Sequence, residues 1–233
     1  MSDELSPSDR AHGSSFVAHP SDPLFVEQLR LGPLWNFVYL VGSRAAGEAI
    51  VIDPGAEVEP VLERAAALGL RAVAVVATHF HTDHTAGLEA LVRRTGAEVL
   101  IHHEDEAGLR RHYGGPLRAV ADEERLRLGD HAVALWHAPG HTPGSQWVVA
   151  DGAVFTGDAL MVGCVGRTGS EPEAAERMWW TMSDRLPRLP AATLLYPGHD
   201  YGPEPVSTVE RERERNPALR AGSLREFCAL LTG

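Results

Sequence analysis

The sequence predicts an α/β domain, and three observations carry that reading. Apolar segments of strand length and helix length alternate through the first half of the chain. The Val-rich run 72–77 is apolar throughout, as expected for a strand covered on both faces. A second set of strand-like segments returns after His131, so the second half resembles the first.

Each element follows from local pattern. Residues 1–22, rich in Ser, Asp, Pro and His without periodicity, read as a loose tail, and 23–233 as one domain. Segments 24–30, 35–41 and 49–52 are strand-like, the last ending in the turn signal Asp53-Pro54-Gly55. Val58, Val61, Leu62 and Ala65 repeat at helical spacing within 57–68, and Gly69 closes that helix. After the strand 72–77, a helix over 86–94 closed by Gly96, a strand over 98–101 and a helix over 105–113 are expected. Gly114-Gly115-Pro116 breaks the chain. Strands follow at 132–136, 146–149 and 153–155, the last two joined by the hairpin signal Asp151-Gly152. A helix over 173–186 and a strand over 193–196 complete the second half. In 207–215 opposite charges recur at i,i+3 (Glu210–Arg213, Arg211–Glu214, Glu212–Arg215), which reads as a solvated helix face ended by Pro217.

Composition narrows the function classes. A hydrophobic share of 44% over 233 residues supports one sizeable core. No apolar run approaches the ~20 residues a membrane span needs, and the first 22 residues lack the apolar stretch of a secretory signal, so a cytoplasmic location is expected. The net charge of -11 opposes phosphate backbones and argues against a nucleic-acid partner. All 21 basic residues are arginines, which excludes any Schiff-base lysine chemistry. Cys164 and Cys228 form no CxxC pair; no disulfide framework is expected, and Cys164 reads as a buried structural thiol.

The chemistry concentrates in Thr78-His79-Phe80-His81-Thr82-Asp83-His84, between the apolar strand and a helix. Alternate residues of an extended backbone face the same way, so His79 and His81 can meet at one ion, and Asp83 and His84 can turn toward a second. Imidazole and carboxylate ligands suit zinc, iron or manganese rather than calcium. Three later Gly-rich loops each carry one more candidate: His141 in Pro139-Gly140-His141-Thr142-Pro143-Gly144, Asp158 in Thr156-Gly157-Asp158, and His199 in Pro197-Gly198-His199-Asp200. His102, His103, His112 and His137 lack such partners and read as surface or packing residues.

On these residues the chain resembles the metallo-β-lactamase superfamily, from about residue 24 to 217. The resemblance implies an αββα sandwich of two mixed sheets flanked by helices. It further implies that His79, His81 and His141 hold one ion, that Asp83, His84 and His199 hold another, and that Asp158 bridges them. A metal-bound hydroxide would be the nucleophile, with Asp83 and Asp158 as the catalytic carboxylates. Asp53-Pro54-Gly55, Gly166-Arg167-Thr168 and Tyr196-Pro197-Gly198-His199-Asp200-Tyr201 look like signatures of the glyoxalase II-like group. Within that group two activities stay open. One is hydrolysis of a hydroxyacylglutathione-like thioester at two divalent ions, zinc in the first instance; the other is dioxygenation of glutathione persulfide at one iron held by His79, His141 and Asp158. The hydrolase is the preferred expectation, and a non-catalytic metal-binding protein is the remaining one. Gly169 and Ser170 stand where both groups usually continue with an Asp, which weakens transfer of the substrate. Arg167 and Tyr201 are the expected contacts of a glutathione-type small molecule. A homodimer is left open.

Overall fold

The computed structural model describes residues 23–169, 171 and 173–231. The tail expected over 1–22 lies outside the described residues. The first sheet contains β1 (Phe25–Leu31), β2 (Asn36–Ser43), β3 (Glu48–Ile52), β4 (Arg71–Val76), β5 (Glu98–His102) and β6 (Arg118–Val120), in that spatial order. β1, β2 and β3 are antiparallel neighbours, and β3 to β6 run parallel. The parallel crossovers are α1 (Glu59–Ala67), the short α2 (Thr82–Thr85) with α3 (Leu88–Thr95), and α4 (His103–Leu109).

The second sheet begins with β7 (Glu124–Leu128), β8 (His131–His137), β9 (Gln146–Ala150) and β10 (Ala153–Gly157), all antiparallel. A small hairpin of β11 (Leu160–Met161) and β12 (Cys164–Val165) follows, then α5 (Ala174–Trp180). β13 (Leu194–Pro197) returns parallel to β10, and β14 (Ser207–Thr208) closes that edge. α6 (Val209–Arg215) and α7 (Leu224–Leu231) end the described chain.

Strand alternation explains the layering. On β2, Val38 and Leu40 face a cluster with Val61, Leu88 and Leu91 from the helices, while Phe37, Tyr39 and Val41 face Leu135, Val148 and Phe155 of the other sheet. The outer face of the second sheet, with Trp147, Val154 and Leu195, packs on Met178, Val209 and Phe227. The layers are therefore helix, sheet, sheet, helix, and central strands are apolar on both faces because both faces are covered. This is the expected αββα sandwich of mixed sheets.

Several local expectations are corrected. The single helix over 173–186 is instead α5, a π-helical turn Thr181–Arg185 and a 3-10 turn Leu186–Arg188. Pro187 has no N–H to offer the preceding turn, so the α ladder cannot continue through it. α4 starts two residues before the expected 105, because the His102 ring accepts from the Glu104 N–H and caps it. The face of α6 is not purely solvated: Glu212 is buried and accepts from Ser207 Oγ, the Gly163 N–H and Asn216 Nδ2. Among the described residues Arg211 pairs with Glu204, not with Glu214. Cys164, expected buried, is exposed on β12. No helix among the described residues is long and apolar enough to cross a membrane.

Candidate metal centre

Topology delivers every candidate side chain to one edge of the sandwich. β3 and β4 are parallel, so Asp53 and the segment 78–84 leave the first sheet at the same end. β8, β10 and β13 share a direction in the second sheet, so His141, Asp158 and His199 also follow strand C-termini. An isolated bridge between Asn36 and His199 joins the two sheets at this edge. Gly198 is required there: a Cβ would overlap Asp158 Oδ1.

All seven predicted residues converge. His79, His81 and His141 form one potential metal-holding trio, and Asp83, His84 and His199 form another. The His79 ring centroid lies 4.7 Å from those of His81 and His141 and 4.4 Å from that of His84, which joins the trios. Asp158 stands between them: its Oδ1 is 3.4 Å from His84 Nε2, and its Oδ2 is 3.3 Å from His199 Nε2 and 3.6 Å from His141 Nε2.

The outer contacts fix which nitrogen faces inward. His84 Nδ1 lies 3.0 Å from Asp53 Oδ2, His199 Nδ1 lies 3.0 Å from the Leu34 carbonyl, and His141 Nδ1 lies 2.7 Å from the Arg167 carbonyl. Each partner is an acceptor, so each Nδ1 carries the proton and each neutral ring turns an Nε2 lone pair into the cleft. There His84 Nε2 meets His199 Nε2 at 3.1 Å, and His141 Nε2 meets His81 Nδ1 at 3.0 Å. His79 Nε2 and Asp158 Oδ1 are buried without a hydrogen-bond partner. The first pair sets two lone pairs against each other, so a proton or a metal cation must stand between them. The donor set therefore fits metal ions.

The electrostatics agree. Burial pushes His79 well below its ordinary pKa, and burial together with the neighbouring His141 ring lowers His81, so both rings stay neutral ligands. Burial opposes a charge on His84 and on His199, yet Asp158 raises both, joined at His84 by Asp53. Burial would likewise raise Asp158, but His84, His199 and His79 hold it well below the usual carboxylate range. The carboxylates thus stabilise positive charge where the nitrogens meet.

Three supporting residues are not legible as such in the sequence. Asp53 appears there as part of a turn and of a group signature with no role of its own, but its Oδ1 accepts from the Thr78 N–H (2.7 Å) and its Oδ2 from Thr78 Oγ1 (2.6 Å) and His84. Although Asp53, His79 and His84 are close enough to hold an ion, both oxygens of Asp53 are already engaged, and its place is behind His84. Asn36 Nδ2 donates to Asp83 Oδ2 at 3.0 Å. Buried Asp105 accepts from Thr142 Oγ1 (2.6 Å), the Gly144 N–H (2.7 Å) and the Phe80 N–H (3.2 Å), so α4 latches the His79–His81 turn to the His141 loop. The sequence signals for Asp53 were its position at a strand end and the Asp53-Pro54-Gly55 signature, neither of which assigned it a role; Asn36 and Asp105 carried none.

The two expected substrate contacts sit at the rim. Arg167 is exposed, and its backbone carbonyl rather than its guanidinium touches the centre, through His141. Tyr201 is 53% exposed and stacks on the His199 ring at 4.5 Å, leaving its hydroxyl edge free of that contact. His102 and His137 stack on each other at 3.9 Å, as packing residues.

Comparison with known proteins agrees with this geometry. Residues 31–199 match the metallo-beta-lactamase superfamily. The mitochondrial persulfide dioxygenase ETHE1 of Homo sapiens is 35% identical over 214 residues, covering 90% of this chain and 81% of that protein. A hydroxyacylglutathione hydrolase of Rhodospirillum rubrum is 35% identical over 191 residues, covering 81% and 72%. The crystal structure of ETHE1 from Myxococcus xanthus superposes with a TM-score of 0.80 at 31% identity, covering 90% of each chain. TTHA1623 in a di-iron-bound form gives a TM-score of 0.69 at 31% identity, covering 82% of this chain and 98% of that one. The persulfide dioxygenase and the hydroxyacylglutathione hydrolase are enzymes of two different activities, matched at similar identity. The chain belongs to the metallo-beta-lactamase superfamily, whose members bind metal ions.

Proposed function

We propose that the protein is a thioester hydrolase of the glyoxalase II-like group, working on a glutathione-type small molecule with two divalent ions. The observation that carries this reading is the completeness of the second trio. The ligand atoms of Asp83, His84 and His199 lie within 4.8 Å of one another, as do those of His79, His81 and His141, with Asp158 between the trios. A mononuclear centre does not need that second trio. The di-iron-bound relative supports a two-ion centre, with zinc or iron as the metal.

In this reading His79, His81 and His141 would hold one ion and Asp83, His84 and His199 the other, with Asp158 as a further carboxylate ligand. The ions supply Lewis acidity, which acidifies water and polarises a carbonyl oxygen. Asp53, the Leu34 carbonyl and the Arg167 carbonyl hold three imidazoles in the tautomer that presents Nε2. Asp83 turns Oδ2 toward His84 Nε2 and His199 Nε2, 3.4 Å from each, as its ligand atom, which leaves Oδ1 to take the proton released as water adds. The acyl carbon–sulfur bond breaks as the carbon–oxygen bond forms, and sulfur leaves with the electron pair as a thiolate. In the same reading Arg167 and Tyr201 at the rim would receive the thiol portion, the guanidinium pairing with a carboxylate.

Persulfide dioxygenation at one iron is the second reading, favoured by the longer match to the human persulfide dioxygenase, 90% of this chain against 81% for the hydrolase. Metal analysis of protein purified without chelators, with assays on S-lactoylglutathione and on glutathione persulfide, separates the two. The expected result is about two ions per chain, thioester cleavage, and loss of one ion and of activity in His199→Ala. One iron per chain with oxygen consumption on the persulfide would overturn it.

A further inference from the structure

We propose that the cavity beside Asp83 is the subsite for the substrate's acyl group, and that the acyl group it takes is apolar rather than hydroxylated; this rests on the thioesterase reading above. The cavity measures about 260 Å³. Its walls are Leu31 from the end of β1, Pro33 and Leu34 from the β1–β2 turn, Val38 from β2, Ala56 after β3 and Ala86 between α2 and α3. Asn36 and Asp83 also line it, so it lies directly beside the second trio. The same β1–β2 turn orients that trio. The Leu34 carbonyl accepts from His199 Nδ1, and the Trp35 carbonyl accepts from the Asp200 N–H at 2.9 Å. Cavity and centre are therefore held in register by one turn.

The chemistry of the lining selects the occupant. Its ionisable groups are Asp83 and Glu57, both acidic, and Glu57 Oε1 already accepts from the Gly32 N–H. No cation faces the cavity among its lining residues, so a carboxylate-bearing thiol portion is repelled from it. The amide of Asn36 is engaged by Asp83, which leaves the exposed Thr82 as the one hydroxyl of the lining. Arg167 approaches the centre from the first trio, where its backbone carbonyl accepts from His141 Nδ1. A thioester laid across the centre would have its carbonyl between the two trios, its charged thiol portion toward Arg167 and its acyl chain in the cavity. A short hydroxyacyl group would leave Leu34, already 50% exposed, and its neighbours in water; an apolar chain covers them.

The test uses the full-length metal-loaded protein and S-acylglutathiones from acetyl to hexanoyl, with lactoyl for comparison. We expect kcat/KM to rise about fourfold per added methylene, the fold-change for burying one CH₂, and butyryl to exceed lactoyl. Calorimetry supplies a readout independent of turnover: hexanoate, a product analogue, binds more tightly than acetate. Ala56→Phe, which sets an aromatic ring in the cavity, and Leu34→Asn, on an exposed side chain, each flatten both series. A flat or falling series with thioester cleavage intact overturns this proposal and leaves the thioesterase reading standing. Failure to cleave any thioester overturns both.

Discussion

Replacing Asp53 with Asn tests the centre through a residue that need not touch any ion. Asp53 Oδ1 accepts from the Thr78 backbone N–H, a donor that cannot reverse, so the single oxygen of Asn is held at that position. The new amide NH₂ then replaces Oδ2, facing Thr78 Oγ1 and His84 Nδ1. The hydroxyl can rotate and accept, but His84 must surrender its Nδ1 proton to avoid donor against donor. That proton moves to Nε2, the atom that points at His199 Nε2 from 3.1 Å. The ligand lone pair is lost without any change in the ligand. A supporting partner of this kind is worth about 10–100-fold in metal affinity. The lost charge-assisted bonds cost roughly 1–3 kcal/mol of stability. Chelator-competition titration at neutral pH should show one ion per chain bound nearly as in wild type and the other weakened by that factor. Two ions bound with wild-type affinity would refute the tautomer assignment.

Two further outcomes follow from the geometry. Arg167→Ala should raise KM for glutathione substrates while metal content stays at the wild-type value, because only the Arg167 backbone carbonyl supports His141; metal loss in that variant would contradict this. Asp105 should govern the acid limb of stability, since burial raises its pKa to about 6. A carboxyl raised in the fold contributes stability that is full below its unfolded value of about 3.9 and is lost as the pH rises through about 6. Urea midpoints measured from pH 4 to 7 should fall with rising pH in wild type relative to Asp105→Asn; parallel curves would count against a buried, ionising Asp105.

The sequence by itself determined the layered fold and the seven converging side chains. Strand 72–77 is apolar on both faces because helices cover one and a second sheet the other, and that requirement is written into consecutive residues. The His79–His84 segment and its Gly-rich partners were legible for a similar reason: close ligand spacing and tight turns at strand ends are local properties. Short edge elements were not. β6 has three residues, and β7 (Glu124–Leu128) alternates Leu126 and Leu128 inward with Arg125 and Arg127 outward too briefly to announce a strand. Only the tertiary structure decided how the histidines are oriented. The acceptor for His199 is the Leu34 carbonyl, 165 residues away in sequence, and that for His84 is Asp53, 31 residues away. It also buried Glu212 and exposed Cys164 against local expectation, and set the β1–β2 turn over the centre to form the cavity. A hydrogen-bond partner supplied by another strand leaves no periodicity behind it, so the tautomer of a ligand, and with it the chemistry of the site, is a property of the packed chain.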